Sequence, residues 1–258
     1  MHAGSHRPRK RFGQHFLHDP GVVRRIVAAI APAPGDFILE IGPGEGVLTR
    51  PLRERAARLE AIEIDRDLAA RLVAEGVVVH AGDALEFDYG ALPPGARIVG
   101  NLPYNISTPL LFRLAEHAAR FRDLHFMLQR EVVERMVAAP STRAYGRLSV
   151  MLQARFSLES LFRVAPGAFR PPPGVESAVV RLRPLEAPLD LGVPGFAGLV
   201  RRAFSARRKT LRNALGLSAE SLAGLGYDPG LRPENLSAAD YVRIAQRTKC
   251  EPGFEAGR

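Results

Sequence analysis

Cysteine is almost missing from this chain: Cys250 is its single thiol among 258 residues. One thiol closes no internal disulfide and builds no cysteine metal cluster, so a disulfide-stapled secreted scaffold is excluded and a reducing, cytoplasmic compartment is expected. Long apolar runs are missing as well. None approaches the roughly 20 residues that span a bilayer, and the N-terminus lacks the apolar stretch of a secretory signal, so no membrane role is expected. Internal repeats and low-complexity tracts are also absent. Acid is the scarcer charge, with 27 Asp and Glu against 36 Lys and Arg and a net charge of +9. Such an excess of base points to an anionic partner, nucleic acid first.

The base is clustered. Arg7, Arg9, Lys10 and Arg11 precede any acid, and Arg201, Arg202, Arg207, Arg208, Lys209 and Arg212 form a second block with none between them. A plainly solvated face is the alternative reading of both. With 46% hydrophobic residues the chain has ample material for one large domain and a small one.

After the basic start, "PGVVRRIVAAI" sets Val22, Val23, Ile26, Val27 and Ile30 at helical spacing. Short apolar runs then follow, "FILEIG", "LEAIEID", "VVVHAGD", "RIVGNLP" and "LHFMLQ", separated by predicted helices around 48–57, 66–75, 109–119 and 130–138. Buried strands alternating with helices predict an α/β fold with a Rossmann-like, doubly wound, mostly parallel sheet, since parallel neighbours need a crossover of about a dozen residues. "LESLFRV" and "SAVVRLRP" are expected to close the sheet as antiparallel strands. Past Pro184, Pro188 and Pro194 the β-rich runs end, and "FAGLVRRAF", "RKTLRNALG", "SAESLAGLG" and "SAADYVRIAQRT" read as four short helices. The expected division is an arm over 1–19, a catalytic-type domain over 20–184 and a helical domain over 185–258.

In such sheets ligands sit outside the carboxyl ends of the strands. Four strand ends carry candidate chemistry. "EIGPGEG" puts Gly42, Gly44 and Gly46 at a strand–helix turn, where backbone amides face a ligand. A dinucleotide fingerprint would place a third glycine at position 47, which is Val47, so a pyrophosphate ligand and a nicotinamide oxidoreductase are disfavoured. "AIEID" sets Glu63 about 20 residues further on, where an acid can accept both ribose hydroxyls; capping of the next helix competes, and Asp65 is expected to do that. "HAGDAL" offers Asp83 either to an adenine amino group or to a cap. "NLPYNIST" is the fourth end. Pro103 keeps Leu102 extended, and Thr108 before Pro109 predicts a helix N-cap and first turn.

Together "KRFGQHFL", "EIGPGEGVLT", "EID", "GDAL", "NLPYNIST", "MLQREVVERM", "YGRLSV", "FRPPPGVESAVVRL" and "RRKTLRNAL" closely resemble the KsgA family, also called RsmA, the small-subunit ribosomal RNA adenine dimethyltransferases. The match runs in order along nearly the whole chain. His15 departs from it, standing where Asn is more usual.

The resemblance implies S-adenosylmethionine as methyl donor, bound at His15, Leu17, Gly42, Glu63, Asp83 and Asn101. Gly42 lets the methionine part lie on the backbone, Glu63 holds the ribose and Asp83 the cofactor adenine. Leu17, with Phe12 and Phe16, has a packing role as its alternative. Asn101 and the carbonyl of Leu102 or Pro103 are expected to accept hydrogen bonds from the target amine, with Tyr104 stacked on the base. Phe169 is a candidate second face of that sandwich, with ordinary packing under the proline turn as the alternative. No metal is expected. The implied substrate is two adjacent adenines in a hairpin near the 3′ end of 16S ribosomal RNA, within the immature 30S subunit. Arg207, Arg208 and Lys209 of the helical domain are expected to grip RNA phosphates. The long C-terminal domain and "NLPYNIST" favour this over the sister class acting on large-subunit RNA. A non-catalytic assembly factor is the rival of a different kind. No helix seam for self-association is visible, so a monomer is expected.

Overall fold

The computed structural model describes residues 14–190 and 193–248; the basic cluster Arg7–Arg11, Phe12 and Cys250 lie outside them. In chain order the elements are β1 Phe16–Leu17, α1 Pro20–Ile30, β2 Phe37–Ile41, α2 Thr49–Arg53, β3 Arg58–Glu63, α3 Arg66–Ala74, β4 Val78–Ala81 and β5 Ala96–Asn101. There follow α4 Ser107–Glu116, β6 Phe121–Gln129, α5 Arg130–Val137, α6 Arg147–Gln153, β7 Phe156–Val164, β8 Phe169–Arg170 and β9 Ser177–Pro184. The helices α7 Phe196–Ser205, α8 Leu211–Leu215, α9 Ala219–Gly224 and α10 Ala238–Thr248 complete the chain.

Two compact units result. The first holds Met1–Val133 and Leu158–Pro184. Its seven-stranded sheet has the order β4-β3-β2-β5-β6-β9-β7, and a two-stranded ribbon pairs β1 with β8. Strands β2 to β6 run parallel to their neighbours, and β9 pairs antiparallel with β6. The apolar runs become central strands because both faces of a covered parallel sheet are dry; Ile38, Leu39, Ile98 and Leu124 are each 0% exposed. The sheet is the Rossmann-like one that the alternation predicts.

At the amino ends of the strands, Arg97 is buried and bridges two acids. Its guanidinium meets both oxygens of Asp123 at 2.9 Å and Asp36 at 2.7 Å. It also donates to the carbonyls of Ile30 and Ala31 at the end of α1. Five donors in a rigid fork can satisfy such a set, which a lysine cannot. The helix is thereby tied to the end of the sheet away from the candidate site.

The second unit holds Glu134–Ser157 and Leu185–Arg258: a division falls after Pro184, and residues 134–157, expected in the catalytic-type domain, lie in this unit instead. Tyr145, Val150 and Ala154, on and around α6, are buried in one core with Leu199, Leu211 and Tyr241 of α7, α8 and α10. Sequence order hid this, since α6 lies between strands of the other unit. The four predicted C-terminal helices are all present. No described helix is long and apolar enough to cross a membrane.

Candidate active site

The carboxyl ends of β2, β3, β4 and β5 open onto a cavity of about 330 Å³. His15, Gly42, Glu63, Asp83, Asn101 and Tyr104 line it, as do Leu17, Leu102 and Pro103. Residues scattered over almost ninety positions converge because parallel strands deliver their carboxyl ends to one edge.

Gly42 directly follows β2 with φ +65°, a left-handed conformation that an L side chain rarely adopts. A Cβ there would project beside the Asn101 carbonyl at 3.8 Å and Pro103 at 4.0 Å. The missing side chain thus leaves a cradle between two strand ends. On β5, a Cβ at Gly100 would lie 2.5 Å from the Ile41 carbonyl, so only glycine lets these two strands meet at the lip.

Glu63 ends β3 at 5% exposure. Its carboxylate accepts from the Gly44 amide at 3.2 Å and the Asp65 amide at 2.9 Å, which fixes it across the cavity floor and leaves lone pairs for a ligand's hydroxyls. Burial pushes its pKa up, against those amide bonds. Asp65 caps α3 as expected, accepting from Asp67, and also takes a bond from Gln14 of the arm. Asp83 spends one oxygen on the Leu85 amide at 2.9 Å, capping a turn and not a helix.

The "NLPY" elbow carries the site's acceptors. The Asn101 side-chain amide donates to the His15 carbonyl at 3.0 Å, and the Leu102 amide donates to Met127 at 3.1 Å. The Pro103 carbonyl is taken by the Ile106 amide. Both candidate carbonyls can still accept, since each oxygen has two lone pairs, and the Leu102 one directly follows Asn101 in the chain. Tyr104 is half-buried, its hydroxyl 2.8 Å from that of Ser177, and burial raises the phenol's pKa. Helix α4 begins at Ser107 with Ile106 at its N-cap, two residues earlier than the predicted Thr108 cap. Pro109 still sits in the first turn, where its missing N–H costs nothing; the Ser107 hydroxyl bonds the Tyr104 carbonyl and tightens the elbow.

Two expected residues are corrected. Phe169 is 3% exposed and does not line the cavity. It sits in β8 opposite Leu17 of β1, and both pack in the core, so its ring holds the arm down and offers no stacking face. Arg207 is bound by Glu234 and donates to the Arg143 carbonyl at 2.9 Å, so it braces its own unit. Arg208 and Lys209 are exposed.

Three lining or supporting residues went unread. Glu40 lies within β2 at 1% exposure, and one of its oxygens has no partner among the described residues. Burial pushes its carboxyl up to about 7, and the charge of Glu63 pushes the same way. The signal was there, a lone acid inside the apolar run "FILEIG". Ile64 keeps 45% exposure beside Glu63, an apolar surface left at the cavity. Ser177 shows only through its contact with Tyr104, which no local pattern reveals.

Comparison with known proteins bears on this geometry. The family model for ribosomal RNA adenine dimethylase matches residues 5–249. The chain is 59% identical to the ribosomal RNA small subunit methyltransferase A of Thiobacillus denitrificans, over 93% of this chain and 97% of the relative. It is 56% identical to the protein of that name from Aromatoleum aromaticum, over 93% of each. Among solved structures, a dimethyladenosine transferase from Plasmodium falciparum superposes with a TM-score of 0.81 at 27% identity, covering 91% of this chain and 98% of that one. The 23S rRNA methyltransferase ErmE follows at 0.69 and 26%, covering 91% and 99%. With the match spanning both units and the cavity, the chain belongs to the ribosomal RNA adenine dimethylase family and is a methyltransferase.

Proposed function

We propose that this enzyme dimethylates the exocyclic amines of two adjacent adenosines in the 3′-terminal hairpin of 16S ribosomal RNA, using S-adenosylmethionine, during assembly of the 30S subunit. The observation that carries it is the acceptor set at the end of β5. Asn101 Nδ2 is held by the His15 carbonyl, so Oδ1 is left to accept, and the Leu102 carbonyl stands beside it in the next residue. An uncharged amine that presents two N–H donors matches two acceptors.

The cavity fits the cofactor. The cradle at Gly42 suits the methionine part against bare backbone, Glu63 the ribose hydroxyls, and Asp83 with Ile64 the adenine ring. When bound, S-adenosylmethionine supplies a methyl group made electrophilic by its positively charged sulfur. Asn101 Oδ1 and the Leu102 carbonyl would hold the N–H bonds of the target amine, two before the first transfer and one before the second, turning its lone pair out of conjugation with the ring. They also stabilise the positive charge that grows on the nitrogen, without reorganising to do so. Each transfer releases one of these protons to solvent and leaves the cofactor as the neutral thioether. Tyr104 stacks on the base, and such contacts, about 1–3 kcal/mol per base, offset part of the unstacking that brings the base into the pocket. Arg208 and Lys209 supply exposed cationic charge for RNA phosphates.

The small-subunit substrate is supported by relatives above half identity that carry that name, whereas the 23S enzyme stands at 26%. A monomer in the cytoplasm is the setting of this reading. Transfer of labelled methyl to undermethylated small subunits, followed by nucleoside analysis, tests it. Dimethyladenosine at two neighbouring positions near the 3′ end is expected; label in large-subunit RNA alone, or none, overturns it.

A further inference from the structure

We propose that His15 is a positioning residue for Tyr104, making Tyr104 the middle ring of a three-ring stack whose third member is the target adenine; this rests on the function proposed above. The His15 ring lies offset on Tyr104, with centroids 5.7 Å apart and planes 27° from parallel. The offset imidazole therefore lies over part of one face of Tyr104, and the opposite face is assigned to the base. His15 Nδ1 sits 2.8 Å from the Pro171 carbonyl. A carbonyl only accepts, so Nδ1 carries a proton and donates it, and this bond sets the orientation of the ring.

The backbone around His15 is held too. Its carbonyl takes the Asn101 amide, Phe16 and Leu17 pair with Arg170 and Phe169, and the His18 amide donates to Ala168 at 2.9 Å. Tyr104 is thus gripped at its hydroxyl by Ser177 and on one face by His15. A ring already fixed in place loses less freedom when a base stacks on it, which is why a group that never touches substrate can raise the rate. With Phe169 buried, His15 is the ring that completes the platform. An asparagine at this position has no ring to do so.

The test is single-turnover methyl transfer to undermethylated small subunits at saturating S-adenosylmethionine, with cofactor Kd by calorimetry. His15→Ala is expected to slow transfer about tenfold or more while Kd moves less than about threefold. His15→Phe, which keeps a ring, is expected to transfer faster than His15→Gln, which keeps only a donor. Because His15 acts through Tyr104, adding His15→Ala to Tyr104→Ala is expected to slow transfer no further. A wild-type rate in His15→Ala, or a raised Kd with the saturated rate intact, overturns the proposal; the second result makes His15 a cofactor contact. Additive losses in the double variant, or equal rates for His15→Phe and His15→Gln, also overturn it, and this last pair decides the matter should His15→Ala not fold. Absence of transfer by the wild-type protein in the same assay instead sinks the functional reading itself.

Discussion

The side-chain amide of Asn101 donates to the backbone carbonyl of His15 at 3.0 Å, across 86 positions of sequence. An amide has two ends, and this bond decides which one faces the cavity. With Nδ2 committed to the arm, Oδ1 is the atom presented. The arm therefore helps orient the amide at the strand end, and on the proposed function the surrounding residues separate into cofactor holding, amine holding and support.

The proposed function puts Glu63 in the first group. Glu63→Ala is expected to weaken S-adenosylmethionine binding by about 1.5–3 kcal/mol, the range for hydrogen bonds to a charged group. Turnover at saturating cofactor is expected to stay within a few-fold of wild type. Isothermal titration beside a saturated rate assay reads both quantities, and an unchanged affinity removes Glu63 from the site.

Glu40 gives the fold a pH dependence. Its carboxyl titrates near 4.5 when free and about 7 when buried in β2, so the folded state holds this proton more tightly than the unfolded one. The sign follows from linkage: the stabilisation is full below the unfolded value and is lost as pH rises through about 7. Thermal midpoints of the cofactor-free protein are expected to fall between about pH 5 and pH 8, with Glu40→Gln giving a flatter profile. A wild-type slope in the variant assigns the effect elsewhere.

The Arg97 bridge is a matter of stability. Arg97→Ala removes the cation shared by buried Asp36 and Asp123, leaving Asp36 only the exposed Arg122 at 2.9 Å, and removing one partner of a buried pair costs about 3–5 kcal/mol. Urea unfolding is expected to show a midpoint lowered to that extent. A loss below 1 kcal/mol, of the order found for surface pairs, contradicts the buried arrangement.

In the helical unit, neighbouring cations have different work. Arg208→Ala and Lys209→Ala are each expected to reduce the salt dependence of RNA binding by about one counterion while leaving thermal stability alone. Arg207→Ala is expected to do the reverse, because its guanidinium holds Glu234 and Arg143. Filter binding over a salt series, with a melting curve for each variant, distinguishes them; equal salt slopes for all four proteins contradict an RNA role for the block.

How much of this was legible in the sequence depended on the kind of interaction. Central strands announce themselves as apolar runs, and the residues at or just past their ends, Gly42, Glu63, Asp83 and Asn101, were found because a parallel sheet must gather its strand ends. What a side chain touches across the fold was not legible. Phe169 and Arg207 have the right chemistry for RNA, yet Leu17 and Glu234, distant in sequence, had already claimed them. Ser177 behind Tyr104 is the same case in reverse. The segment 134–157 was assigned by its order in the chain, whereas its buried Tyr145 and Val150 belong to the core of the helical unit. Glu40 was absorbed into a strand because a single acid barely alters an apolar pattern.

The most direct measurement is the single-turnover rate of Asn101→Ala at saturating S-adenosylmethionine, with cofactor affinity determined on the same preparation. Loss of one preorganised acceptor is expected to slow methyl transfer by about 100-fold or more, as for removal of one preorganised hydrogen-bonding group at a site of developing charge, with affinity changed far less. Methyl transfer at the wild-type rate contradicts the mechanism, since the amine would then be held and activated by something other than the end of β5.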